Sequence, residues 1–278
     1  MISDIDQTTT QLLAKVAELG PGFRQRMRQQ DEDSAFPFES LAEATQAGLH
    51  KLCVPTEYGG YGYWQPGNYR GFYQILEELA FWEANTAQLL QITSHASGIV
   101  SWHANQEQRA KFLPEIVDGA LLASLGSEAH LYENGQERLE SELQPTEGGY
   151  TLTARKGFAS VAAGARYLTV WCAIEGDAPY ASRMVFALVP TDAPGVELLD
   201  DWQMLGMRST VSCGVKFTNV FVPDDHIIGE QGDWVNKDPR TFSLAYAANH
   251  IGSARGAFEF IVDYVKERDD LRNSEVVQ

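Results

Sequence analysis

The sequence predicts an α+β chain of several domains, with helices first, then short strands, then one long helix. Three observations carry that reading. Apolar residues recur at helical spacing as far as Val117. From Ala120 the period changes to alternation broken by turns. From Asp238 to about Arg268 it becomes helical again.

Leu12, Leu13, Val16 and Leu19 mark the first helix, and Gly20-Pro21 is expected to break it. Pro37 suits the first turn of a second helix, which runs through Ala47 and is ended by Gly48. The stretch Gly48–Gly62, GLHKLCVPTEYGGYG, is too rich in Gly and Pro for a helix. Asn68–Glu83 and Asn85–His103 carry apolar helical stripes. Gln106–Val117 adds a shorter one, with Phe112, Leu113, Ile116 and Val117 facing inward and Gly119 capping it. The aromatic group Trp64, Tyr69, Phe72, Tyr73, Phe81 and Trp82 reads as core with a few surface rings.

The strands follow at Leu122–Leu125, Tyr150–Ala154, Tyr167–Ile174, Met184–Val189 and Val196–Leu199. Turns such as Glu147-Gly148-Gly149 and Ala193-Pro194-Gly195 separate them, which predicts an antiparallel barrel or sandwich. Val211, Cys213, Val215, Phe217, Val220 and Val222 read as one more half-buried strand, closed by Pro223-Asp224-Asp225. Glu230–Lys237 is a polar linker, and Asp238-Pro239 looks like an N-cap followed by proline at the first helical position. The last helix is rich in small residues that permit close packing, among them Ala245, Ala248, Gly252 and Gly256. It also has apolar positions that nothing after it in the chain would cover.

At 278 residues and 44% hydrophobic content the chain can bury a substantial core. A net charge of −17 repels nucleic acid and anionic membranes, so neither is an expected partner. Cys53, Cys172 and Cys213 are scattered, without a CxxC pair; this fits a reducing compartment and argues against disulfides or a metal knuckle. The opening MISDIDQTTTQ has no basic start or apolar core of a signal peptide, and no run approaches the roughly 18 apolar residues of a membrane span. A cytoplasmic protein is expected. Gly59-Gly60-Tyr61-Gly62 follows no strand, so it is not a dinucleotide fingerprint, and no GxSxG or phosphate loop is present.

The element order and four segments together resemble the acyl-CoA dehydrogenase superfamily. Gly48–Gly62 is similar to that family's loop with Val-Pro-x-Glu-Tyr-Gly-Gly-x-Gly, and Gln106–Gly119, QEQRAKFLPEIVDG, to its helix before the β domain. Tyr150–Ser160, YTLTARKGFAS, resembles the strand pair carrying a Gly-x-Lys-x-Trp-Ile-Thr turn, and Trp202–Gly229 resembles the end of the middle β domain. The resemblance implies an N-terminal helical domain at 1–119, a middle antiparallel β-barrel domain at 120–229, and the start of a truncated C-terminal helical bundle at 238–278. It also implies FAD as cofactor, a small-molecule substrate (an acyl-CoA or another small organic molecule), and a homo-oligomer or a chain completed by a partner. The residues matching the flavin-contacting positions are Gly126, Ser127, Phe158 and Ser160.

Departures from the family pattern bear on the reaction. AHLYENGQ follows Ser127-Glu128 where the family has Gly-Ser-Asp, and Phe158-Ala159-Ser160 stands for Trp-Ile-Thr. The family's catalytic glutamate lies in or beyond the first C-terminal helix, and Arg240–Ala248 contains no acid. The catalytic residue is therefore unassigned at this level. His95 is the candidate, as a base for an oxygenation, with His130 after it. His95 and His103 are about 12 Å apart along one helix at 1.5 Å per residue, too far to share a metal, and no metal site is expected. Arg208, in a turn, reads as structural.

Three functions follow. The first is an FAD-dependent α,β-dehydrogenation of an acyl thioester. The second is a flavin-dependent monooxygenase on the same scaffold, using reduced flavin and O2. The third is a non-catalytic interaction subunit.

Overall fold

The computed structural model describes residues 6–64, 68–128, 132–133, 136–137, 139–233 and 240–268. The helical part contains α1 (Gln7–Asp33), α2 (Phe38–Gln46), α3 (Arg70–Trp82), α4 (Ala84–His103) and α5 (Gln106–Val117). Asp6 starts α1 by accepting the Thr9 N–H at 2.8 Å, and Asn105 and Gln108 form a reciprocal capping box at the start of α5. Val117, expected to face inward, is only partly buried, while Phe112, Leu113 and Ile116 are in the core.

The expected break at Gly20-Pro21 does not occur; α1 runs straight through it. A residue before proline is driven from helical geometry partly by its own Cβ, and Gly20 has none. That bare backbone also lets the helix seat on Trp82, whose ring atoms would lie 2.1 Å from any Cβ added at Gly20. Packing outweighs the one hydrogen bond that proline forfeits.

The β part comprises β1 (Leu122–Leu125), β2 (Tyr132–Glu133), β3 (Gln136–Glu137), β4 (Glu142–Thr146), β5 (Gly149–Lys156), β6 (Tyr167–Ile174), the one-turn helix α6 (Tyr180–Arg183), β7 (Met184–Pro190), β8 (Val196–Leu198), β9 (Val215–Pro223) and β10 (Ile227–Ile228). Hydrogen bonding links them in the order β10-β7-β6-β4-β5-β9-β8, with β1 beside β6 and β2–β3 as a separate pair. The path is antiparallel except at β6, which takes both β1 and β4 in parallel. The last long strand begins at Val215, later than the alternation suggests. Arg208–Thr210 is a 3-10 turn and Val211 has φ +43°, so Val211 and Cys213 lie before the ladder.

The long final helix, α7 (Arg240–Glu267), lies against α3 and α4. Its small residues explain the approach. A Cβ at Gly252 would stand 2.0 Å from the Glu77 carbonyl oxygen, and one at Gly256 2.4 Å from that of Phe81. Ala245 and Ala248 are buried on the same side. Leu244, Ile251, Phe258, Phe260 and Ile261 on other sides of α7 are exposed, the uncovered positions expected from the sequence. The expected N-cap at Asp238-Pro239 lies outside the described residues, as does His130.

Candidate functional site

The β domain and the helical layer meet around a cavity of about 610 Å³. That size is within the roughly 300–1,000 Å³ of small-molecule and cofactor sites. Gly126, Ser127, Phe158, Ser160 and His95, widely separated in the sequence, all line it. Trp171, Trp202, Thr210, Ser212, Tyr246 and Asn249, which sequence reasoning did not single out, line it as well. Trp202 and Ser212 lie within the Trp202–Gly229 segment that carries the family resemblance, so their proximity to the site had a signal; Trp171 and Asn249 had none.

The β wall is built from two loops with left-handed backbone. Phe158 (φ +54°) and Val161 (φ +77°) lie in one, Met207 (φ +55°) and Val211 (φ +43°) in the other. Non-glycine residues reach this region at a cost of roughly 1–2 kcal/mol each. Phe158 is half exposed and meets the Trp202 ring edge-on at 6.2 Å, so it is a wall of the cavity and not core.

A buried ion pair holds the first loop in place. Lys156 Nζ donates to Glu128 Oε1 at 2.6 Å, and their side chains are 0% and 3% exposed. Glu128 also accepts from the Glu140 N–H (3.0 Å), the Ser141 N–H (3.2 Å) and the Ser141 hydroxyl (2.7 Å). Burial works to raise the Glu128 pKa; the Lys156 charge and these donors outweigh it and hold it below its ordinary value. Between the pair, the Gly157 N–H donates to the Ser127 carbonyl at 2.9 Å, joining the two segments that line the cavity.

A chain of hydroxyls runs from the first loop into the second. Ser160 Oγ and Ser212 Oγ are 2.6 Å apart, Ser212 Oγ and Thr210 Oγ1 are 2.7 Å apart, and Thr210 Oγ1 donates to the Met207 carbonyl at 2.8 Å. Arg208, in the same loop, donates from Nε to the Asp31 carbonyl at 2.8 Å and from Nη2 to that of Glu32 at 3.4 Å. Its role is the structural one expected, a cap on the C-terminal end of α1.

The helical wall is different. His95 is buried among the rings of Trp64 (5.4 Å) and Trp171 (5.9 Å). Burial, with a smaller push from His103, lowers its pKa to about 3, so its imidazole is neutral at physiological pH. Trp171 Nε1 donates to Ser124 Oγ at 3.2 Å, which fixes the indole beside it. Asn249 of α7 donates to the buried Gln91 of α4, while the other polar atom of its amide has no hydrogen-bond partner among the described residues. Among the described residues that line the cavity there is no Asp, Glu, Lys or Arg. Nor do the described residues include a cluster of three His, Cys, Asp or Glu side chains placed to hold a metal ion. No described helix is long and apolar enough to cross a membrane.

The acyl-CoA dehydrogenase N-terminal domain matches residues 8–120, and the middle domain of the same family matches residues 134–220. The chain belongs to the acyl-CoA dehydrogenase family. The helical and β domains expected from the sequence are those of this family. A dibenzothiophene monooxygenase of Rhodococcus erythropolis is 30% identical over 210 residues, 74% of this chain and 46% of that protein. The mitochondrial isovaleryl-CoA dehydrogenase of Oryza sativa subsp. japonica is 25% identical over 230 residues, 80% of this chain and 54% of that one. This acyl-CoA dehydrogenase family chain thus spans about half the length of the curated relatives it matches. Among solved structures, TdsC from Paenibacillus sp. A11-2 in complex with FMN and indole has a TM-score of 0.81 at 27% identity, covering 92% of this chain and 64% of that one. Butyryl-CoA dehydrogenase from Megasphaera elsdenii shares the fold, with a TM-score of 0.87 at 20% identity, covering 100% of this chain and 74% of that one.

Proposed function

We propose that this chain forms the flavin-binding part of a flavin-dependent oxidoreductase, with the cavity between the β wall and α4/α7 as its site. The observation that carries the reading is the convergence of Gly126, Ser127, Phe158 and Ser160 on one cavity together with His95. The donor set suits a planar heteroaromatic ring. Indole and phenyl faces from Trp171, Trp202 and Phe158 can cover it, and hydroxyls and an unmatched amide atom of Asn249 can meet its polar edge. FAD is the first choice of flavin and FMN the second, since FMN is the ligand in the TdsC complex. Bound there, a flavin would supply hydride acceptance or, once reduced, reaction with O2.

The first reaction in this reading is α,β-dehydrogenation of an acyl thioester, supported by the family and by relatives such as isovaleryl-CoA dehydrogenase. The second is oxygenation of a small aromatic substrate with reduced flavin. It is favoured by the lining: without Asp, Glu, Lys or Arg among the described residues, walled by rings, and holding a neutral His95 that can donate or accept one hydrogen bond without carrying charge. In either reaction the rings orient the substrate and the buried walls exclude water. Three buried free cysteines suit a cytoplasmic setting. The exposed apolar positions of α7 suit a second copy or a completing chain.

The test is direct. The purified chain is titrated with FAD and FMN while its visible spectrum and its mass by light scattering are recorded. Saturable flavin binding near one per chain is expected. Acyl-CoA substrates with an artificial electron acceptor are then compared with oxygen uptake on reduced flavin and an aromatic heterocycle. A colourless oligomer indifferent to both flavins would sink the enzymatic reading and leave an interaction subunit.

A further inference from the structure

The hydroxyl chain on the β wall has a fixed direction. The Met207 carbonyl can only accept, and it receives the Thr210 hydroxyl at 2.8 Å, the Thr210 N–H at 3.2 Å and the Trp202 indole N–H at 3.2 Å. Thr210 has one hydroxyl hydrogen and spends it there. Toward Ser212, 2.7 Å away, Thr210 can therefore only accept, so Ser212 is the donor of that bond. Ser212 then has no hydrogen left for Ser160, 2.6 Å away, and Ser160 must donate to Ser212. Every hydrogen in the chain points from Ser160 toward the Met207 carbonyl. Ser160 is left facing the cavity with lone pairs alone.

We infer that the Ser160–Ser212–Thr210 relay, oriented by the Met207 carbonyl, makes Ser160 an acceptor-only contact that selects a ligand bearing N–H over one presenting a bare ring nitrogen. This rests on the flavin reading above. Reduction changes a flavin in this respect: ring nitrogens that accept hydrogen bonds become N–H groups that donate them. Placed against a ring nitrogen that reduction protonates, an acceptor-only Ser160 binds the reduced form more tightly than the oxidised one. Ser212 and Thr210 act through Ser160 and are positioning residues. All three are buried, at 7%, 5% and 1% exposure, so water cannot readily substitute for a mismatched partner.

The probes are FAD and FMN, each titrated into the 278-residue chain in oxidised form and, under argon, after reduction. Dithionite supplies the two electrons and buffer the two protons. The readout is the ratio of the two dissociation constants, checked by the midpoint potential of the bound flavin. One matched hydrogen bond in place of a mismatch predicts reduced flavin about tenfold tighter in the wild type, which is about 30 mV for a two-electron couple. Ser212→Ala frees the Ser160 hydrogen to donate, and Thr210→Val releases that of Ser212; both bring the ratio toward one. Thr210→Ser keeps the terminal hydroxyl and keeps the wild-type ratio. A purely structural role would weaken both forms equally and leave the ratio unmoved in every variant. An unchanged ratio in Ser212→Ala, with flavin still bound, overturns the inference while leaving the flavin reading intact. Failure of the wild type to bind either flavin in either form overturns both.

Discussion

The two walls of the cavity are held by different means. The β wall is polar and strained, with left-handed Phe158, Val161, Met207 and Val211 fastened by the Lys156–Glu128 pair and the Arg208 cap. The helical wall stands on regular α4 and α7, set by glycines that let α7 lie on α3 and by ring packing around His95, and carries neutral polar side chains such as Gln88, Asn249 and Ser253. The difference teaches where each wall is vulnerable. One depends on charges and hydrogen bonds in loops, the other on volume between regular helices.

Lys156→Met breaks the comparison most severely. It leaves Glu128 buried without its cation, and removing one partner of a buried pair costs roughly 3–5 kcal/mol. Denaturant unfolding should show that loss, and the double variant Lys156→Met/Glu128→Leu should recover much of it. Full loss in the double variant would mean that the pair's hydrogen bonds to Glu140 and Ser141 matter more than its charges.

Acid comes next, and it acts on the helical wall. His95 has a pKa of about 3 in the folded chain against an ordinary 6.5, so the unfolded chain binds the extra proton first. Stability from this residue is complete above about pH 6.5. It falls as the pH drops toward 3, by up to about 1.4 kcal/mol per pH unit. His95→Gln should flatten the stability profile between pH 6 and 4. A slope identical to wild type would place the acid sensitivity elsewhere, for instance at His50, whose pKa burial also lowers.

Gly252→Ala tests volume alone. The added carbon meets the Glu77 carbonyl oxygen at 2.0 Å, and α7 must shift, at about 1–3 kcal/mol. The shift should register as a lower melting temperature and weaker binding of any cavity ligand. An equally stable Gly252→Ala would show that α7 is free to slide.

The smallest effect is at Phe158. Phe158→Gly relieves the left-handed backbone, and the ring is half exposed, so stability should rise by about 0.5–1 kcal/mol. Ligand affinity should fall as the ring is lost. That opposite movement would mark strain kept for the site and not for the fold.

This contrast also explains what was legible in the sequence. The helices were readable because their apolar stripes are set by regular geometry, and Gln106–Val117 matches residue for residue. Gly126, Ser127, Phe158 and Ser160 were readable because the family pattern surrounds them. Val211 and Cys213 misled, since their alternation imitates a strand while the backbone turns through left-handed φ. Pro21 misled because propensity counts the lost hydrogen bond and not the seat that Gly20 makes for Trp82. The relay's Ser160–Ser212 bond joins residues 52 apart in sequence and exists only once β5 and β9 are paired. Asn249 reaches the cavity only because small residues draw α7 down onto α3 and α4.

Arg208 makes the helical and β parts a single lever. Its guanidinium grips the carbonyls at the end of a 27-residue helix, while its own backbone belongs to the turn that orients the hydroxyls. A tilt of that helix therefore tugs on the Met207 carbonyl through one side chain and reaches Ser160 by way of three short hydrogen bonds. Lysine has no fork with which to hold two carbonyls at once. Placed here, it would leave the sink of the relay anchored on one side only.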